Sequence, residues 1–320
     1  MKTQKELFEA LTARFGSRNE MCREVGLRLS VSADTVSKWG YCNIMLSYDR
    51  LQKLVELFEL GPEDLLHSRP NLITFEYQPL HMDDMEGYRN YIESFNQLHQ
   101  KLVDMPDVFI SFHADDIPIY HLMSFKLLTY FKLYSFACDG QQLTVTFEEF
   151  MERMESYNLE PIFEQIVSCY ERIPSIEVWD EWVLDTLLYQ VEHFDILERY
   201  ANPDTRIAIL EELKALLDRF QAMARSGTKP SGVRFDFYRR HSPSKKGYML
   251  LRGNGKTRLS IKVDTINSMS ANNPNIVDGF AKAFHATVNK STAVGVGAER
   301  ERTMYFRNLR AKIDQALRSN

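Results

Sequence analysis

The eleven residues Leu29-Ser30-Val31-Ser32-Ala33-Asp34-Thr35-Val36-Ser37-Lys38-Trp39 decide how the first part of this chain is read. Ser32 is a favourable helix N-cap, because its hydroxyl accepts from an amide that the first turn leaves unpaired. From that cap, Val31, Val36 and Trp39 face inward, while Ala33, Asp34, Thr35, Ser37 and Lys38 are left outward. Gly40 closes the helix. Upstream, Leu7, Leu11 and Phe15 follow helical spacing and Gly16 ends that run; a second helix starts at Asn19 as N-cap and carries Cys22, Val25 and Leu29 on one face. Downstream, Ser47 opens a fourth helix through Leu51, Leu54, Val55 and Phe58, and Gly61-Pro62 introduces a last turn, Glu63 to Leu66. Residues 1–67 thus read as five short helices, with a linker at His67 to Pro70.

A helix-turn-helix that reads DNA needs a positioning helix, a tight turn and a second helix short enough to enter the ~12 Å major groove with small polar residues outward. The segment meets each demand. Residues 19–66, above all the L-x-V-S-x-x-T-V-S-K-W run from Leu29 to Trp39 followed by Leu46-Ser47 and Leu65-Leu66, resemble the Cro and phage-repressor type of helix-turn-helix domain of bacterial transcriptional regulators. The resemblance implies a five-helix DNA-binding fold, a recognition helix beginning near Ser32 and dimeric binding to paired half-sites. Two residues depart from that pattern: Ser30 stands at the turn where glycine is common, and Glu20 stands where a glutamine often touches phosphate. By role, Asn19 and Lys38 are candidate phosphate contacts, Ser32, Ala33, Asp34, Thr35 and Ser37 candidate groove contacts, and Tyr41 and Asn43 reach the backbone just past the helix. Asp34 can accept from a cytosine amino group, and Thr35 can hydrogen-bond a base or touch a thymine methyl.

At 320 residues the chain is long enough for two or three folding units, and 44% apolar with 26% charged residues is a globular composition. No apolar leader follows Met1, and the run Ile117 to Ala137 contains Lys126 and Lys132, which argues for a buried helix rather than a membrane span. A cytoplasmic protein is expected. Cys22, Cys42, Cys138 and Cys169 are widely spaced with no C-x-x-C pair, so neither a disulfide framework nor a zinc site is expected, and no cofactor is implied.

Net charge is −1 over residues 1–67, −17 over 68–224 and +13 over 225–320. This polarity fits mutual neutralisation between segments of one fold or of two subunits, and equally a basic segment that seeks phosphate.

After a strand at Leu72 to Tyr77, residues 68–226 read as helical, with a strand at Val108 to Phe112 and helices that include Leu122 to Ala137, Pro161 to Arg172, Ile176 to Phe194 and Asp204 to Ala224. Residues 227–320 carry the strand-like runs Val233 to Tyr238, Tyr248 to Arg252 and Thr257 to Val263, then helices from Pro274 and Ala298. The expected class is mainly α with a small β component (α+β): the helix-turn-helix domain, then a large helical domain with a small antiparallel sheet, in which 227–320 packs with 68–226 as one sensor or dimerisation unit.

Gly253-Asn254-Gly255-Lys256-Thr257 ends like a phosphate-binding loop, but Leu250 stands where its first glycine is needed and a strand follows, so it reads as a hairpin turn. Asp115 and Asp116 alternate on a strand and read as a turn before Pro118 rather than a metal site. Arg300 and Arg307, in the last helix, read as a solvated face or as an anion site at the helix start near Gly297, where Glu299 and Arg302 also form a helical ion pair. The stretch His113 to Phe136, and Lys290 to Phe306 after it, is similar to the long region appended to helix-turn-helix regulators.

The leading expectation is a non-enzymatic, sequence-specific regulator that binds double-stranded DNA as a homodimer and answers to a small-molecule or protein effector. The rival is an interaction or effector-binding protein assembled through its acidic and basic regions. No catalytic or metal residue is assigned, and no membrane partner.

Overall fold

The computed structural model describes residues 2–58, 60, 65, 73–80, 85–140, 143–242, 247–264 and 266–318. The chain forms two compact units, Met1–Thr74 and Phe75–Asn320. The expected linker at 67–70, and the turn at 63–66 apart from Leu65, lie outside the described residues.

The first unit opens with α1 (Gln4–Phe15), started by a reciprocal cap between Thr3 and Glu6 and ended by Gly16 at φ 76°. The second helix, α2 (Arg18–Leu29), is capped by Ser17, whose hydroxyl accepts from the Glu20 amide at 3.2 Å. Asn19 is therefore not the cap. Because Gly16 turns the chain into the left-handed region, Ser17 is the extended residue ahead of the helix, and Asn19 already lies inside its first turn. Then come α3 (Ala33–Gly40) and α4 (Tyr48–Phe58). Leu7, Phe8, Leu11, Met21, Val25, Val36, Trp39 and Leu54 are buried together in one core.

Ser30, between α2 and α3, sits at φ 54°, with its amide donating back to Gly26 and Leu27. A side chain in that region costs roughly 1–2 kcal/mol that glycine does not bear. Glycine also gains freedom when unfolded, so Ser30→Gly is expected to stabilise the first unit by a net ~0.5–1 kcal/mol. Urea unfolding followed through Trp39 measures this, and a loss of stability would show that the serine side chain contributes more than the strain it carries.

The second unit is mostly helical around a seven-stranded mixed sheet of order β6-β5-β4-β1-β2-β3-β7, made of β1 (Phe109–Ala114), β2 (Ser175–Asp180), β3 (Phe235–Arg240), β4 (Tyr248–Gly253), β5 (Lys256–Lys262), β6 (Ser268–Ala271) and β7 (Thr292–Ala293). The class is α+β as expected, but the sheet is larger than a small antiparallel one: β1, β2 and β3 pair in parallel, and the other pairings are antiparallel. Parallel neighbours need long crossovers, here a helical run between β1 and β2 and another between β2 and β3. The first holds α6 (Ile119–Leu122), α7 (Lys126–Gly140), α8 (Phe147–Glu155) and α9 (Glu160–Arg172); the second holds α10 (Asp185–Ile196) and α11 (Pro203–Ser226). Residues 176–180, expected as helix, are strand β2. Five of its six residues are buried, so it lacks the one-sided alternation by which an exposed strand is recognised. Of the segment expected as a strand at 72–77, residue 72 lies outside the described residues, and 73–77 make one bridge, Glu76 to Ser270, among the described residues.

One sheet face packs against α12 (Pro274–Asn289), through Val178, Leu250, Leu259, Ile261, Val277 and Phe284. The other carries the main core beneath the crossover helices, α5 (Met85–Leu102) and α13 (Glu299–Arg318). The basic third part meets the acidic middle inside this unit: Lys312 pairs with Asp185, Arg310 with Asp218, and Asp314 with Lys214 at 2.5, 2.5 and 3.0 Å. Asn254 and Gly255, at φ 52° and 68°, make the tight turn between β4 and β5. Their amides both donate to the Asp107 carboxylate at 2.7 Å, and these bonds, Gly255 first, hold that carboxyl below its ordinary pKa. The turn already holds an anion of its own. Among the described residues no helix is long and apolar enough to cross a membrane.

Candidate nucleic-acid interface

The α3 helix separates its residues as its amphipathic pattern requires. Val36 and Trp39 are buried, Ser32, Ala33, Asp34 and Lys38 are exposed, and Thr35 and Ser37 are half-buried. The Ser32 hydroxyl accepts from the Thr35 amide at 3.1 Å and lies 2.8 Å from the Thr35 hydroxyl, which fixes the first turn. Lys38 pairs with Asp34 one turn earlier at 2.6 Å. In isolation this exposed pair is worth little. Its consequence is that Lys38 reaches a phosphate only by leaving Asp34.

Two positions that sequence spacing did not single out hold α3 in place. A Cβ on Gly26 would come within 2.8 Å of the Val31 carbonyl oxygen and 3.4 Å of the Ala33 amide nitrogen, so only glycine lets α2 and the start of α3 approach this closely. Gln4, from α1, donates to the carbonyls of Trp39 and Ile44 at 2.7 and 2.8 Å and accepts from the Leu46 amide at 2.8 Å. It clamps the loop that carries Tyr41 and Asn43, both exposed. Single-sequence periodicity detects neither feature, because both depend on a partner remote in sequence or across a turn.

Arg18 is a further candidate contact. Its guanidinium lies 3.7 Å over the Tyr41 ring, with Nε and Nη2 buried and without a hydrogen-bond partner among the described residues, so those two donors reach a phosphate only if the guanidinium leaves this stack. A Cβ on Gly40 would stand 2.7 Å from that Nη2, so the glycine at the end of α3 makes room for the arginine. Arg18 opens α2, the helix that crosses the phosphate backbone in a helix-turn-helix, and the exposed Asn19 follows it. Two other arginines of the unit, both exposed, are tied to the end of α4: Arg14 and Arg28 donate to the carbonyls of Phe58 and Leu57 at 2.8 and 3.0 Å. Burial raises the Cys22 thiol above its usual pKa, against the lowering field of Arg18, so this cysteine is a packing residue.

In the second unit Arg300 and Arg307 are exposed on α13. The first turn of that helix already carries Glu299 and Glu301, which compete with any anion there. Arg302 does not make the expected pair with Glu299; it is buried and donates to the Gly295 carbonyl.

Comparison of the chain with protein-family models, with curated proteins and with solved structures found no match.

Proposed function

We propose that the first unit is a helix-turn-helix module that reads double-stranded DNA, and that the protein is a cytoplasmic transcriptional regulator whose second unit serves dimerisation or effector sensing. The observation that carries this reading is the division of α3: two large apolar residues anchor it, and a row of small polar side chains remains outward, short enough for the major groove. Ala33, Asp34, Thr35 and Ser37 face the bases, while Lys38, Arg18, Asn19, Tyr41 and Asn43 meet the backbone. A net charge of −1 over residues 1–67 gives weak phosphate attraction, so tight binding requires a homodimer on half-sites ~34 Å apart.

Gel retardation with the DNA upstream of the protein's own gene tests the assignment. Thr35→Ala is expected to cost about 1–3 kcal/mol of discrimination at one base pair, and Lys38→Ala to weaken all sequences alike and lower the salt slope by about 1. Asp34→Asn, which releases Lys38, is expected to tighten non-specific binding. Unaltered affinity and salt slope in the double variant Thr35→Ala/Lys38→Ala would remove α3 as the reading helix.

A further inference from the structure

The sheet is under-filled beneath α5. In register with Met249 of β4, Ser260 of β5 and Ser270 of β6 place small hydroxyl side chains on the face that α5 covers. Two adjoining cavities of about 120 and 300 Å³ result, with Tyr91, Phe95, Met249, Ser260 and Ser268 on the walls of both. The smaller opens at the carboxyl end of β1. There the strand order reverses, since β2 and β3 lie on one side of β1 and β4 on the other, and ligands of wound sheets bind at such a reversal. An apolar cavity of ~150 Å³ admits benzene, so the two adjoining spaces taken together hold one aromatic ring with a short substituent, which the smaller alone does not.

The charges on its wall select the substituent. Asp115, Asp116 and Asp264 line the smaller cavity with Lys262, whose ammonium is 3.3 Å from Asp115 and 3.5 Å from Asp116. Behind the wall, buried Lys132 pairs with Asp116 at 2.7 Å. Three carboxylates against two ammonium groups leave one negative charge, on the side of Asp264, whose Oδ1 accepts from the Ile266 and Asn267 amides at 3.2 and 2.9 Å. A cation neutralises the site, whereas an anion adds to its charge.

The same walls reach the segment that begins the second unit. Glu76, Tyr77 and Gln78 line the larger cavity. Glu76 exchanges both backbone hydrogen bonds with Ser270, at 2.7 and 2.9 Å, and Asn267, on the wall of the smaller cavity, donates to the Gln78 carbonyl at 2.8 Å.

We propose that this double cavity binds a small aromatic amine, its ring among Tyr91, Phe95 and Tyr120 and its ammonium towards Asp264, and that occupancy tightens residues 76–78 against β6. The regulatory meaning rests on the operator-reading role proposed above, because residues 76–78 continue the chain from the first unit; ligand binding does not rest on it.

Benzylamine is the probe, titrated calorimetrically into the full chain without DNA. Saturable binding is expected, with benzoate at least tenfold weaker. Asp264→Asn is expected to weaken benzylamine about tenfold, through loss of a charge-assisted contact, and Ser260→Leu to abolish binding by filling the space. If Ser260→Leu proves unfolded by circular dichroism, Asp264→Asn alone carries the test. Benzylamine is also expected to slow hydrogen exchange at the Glu76 and Ser270 amides at least tenfold. No saturation, a preference for benzoate, or equal binding by wild type and Asp264→Asn overturns the ligand assignment; binding with unchanged exchange overturns the coupling to residues 76–78. A failure of DNA retardation leaves all these readouts intact and bears on the operator reading alone.

Discussion

Glu177→Ala is expected to lower the stability of the second unit by about 3–5 kcal/mol, a large share of the ~5–15 kcal/mol that holds a native protein together. Glu177 is fully buried on β2, on the face that carries the main core. It accepts from the Tyr170 hydroxyl, from Trp179 Nε1 at 2.9 Å and from His121 Nε2 at 3.1 Å. Burial alone would push its carboxyl upward in pKa, but the neighbouring His121 and these hydrogen bonds outweigh it and hold the group below its ordinary value. Alanine would leave His121 and the tryptophan and tyrosine donors without their shared acceptor inside the core, where an unpaired polar group cannot turn to water. The network also ties α6 and α9 to the sheet, since His121 lies on α6 and Tyr170 on α9. Glu177→Gln keeps an acceptor and is expected to cost about 1–3 kcal/mol. Urea unfolding monitored through Trp179 and Trp182 reports this unit separately from Trp39. A Glu177→Ala midpoint within the error of wild type would mean that the buried carboxylate is not a keystone of the fold.

The second large effect is expected at Gly26. Helix preference alone favours Gly26→Ala by up to ~1 kcal/mol. The added methyl, however, would meet the Val31 carbonyl at 2.8 Å, and that atom is backbone, which cannot rotate aside as a flexible side-chain tip does. The turn before α3 must shift, at a net cost of about 1–3 kcal/mol to the first unit, and α3 shifts with it. On the proposed reading of DNA by α3, gel retardation is expected to fall with it. Trp39 fluorescence in urea and the gel assay measure the two consequences together. A stabilised Gly26→Ala variant with unchanged retardation would show that the close approach of α2 and α3 is not what positions the reading face.

How legible each part was follows from the range of the interactions that made it. Ser32 capping α3, Gly16 ending α1, Asn254-Gly255 turning the β4–β5 hairpin and the helix beginning at Pro274 are governed by neighbours within a few residues, so their spacing in the chain was enough. The outward residues of α3 were legible for the same reason, because three- and four-residue spacing selects the buried Val36 and Trp39 and leaves the rest. Asn19 was displaced by Ser17 because two strong capping residues stand two positions apart, and the left-handed Gly16 chose between them. β2 was misread because it is covered on both faces and carries the buried Glu177, an acid that no strand pattern anticipates.

The order of helices in the first unit, the outward set on α3 and the opposed charges of the middle and final parts were determined by the sequence by itself, since each is a matter of local spacing or of counting. The three-dimensional fold alone decided that those opposed charges meet within one unit, that β1, β2 and β3 run parallel, that Gln4 and Gly26 hold α3 and the loop after it, and that a cavity lies beneath α5. Each of these depends on which distant segments come to lie beside one another, and that is selected by burial summed over the whole core rather than by any stretch of residues.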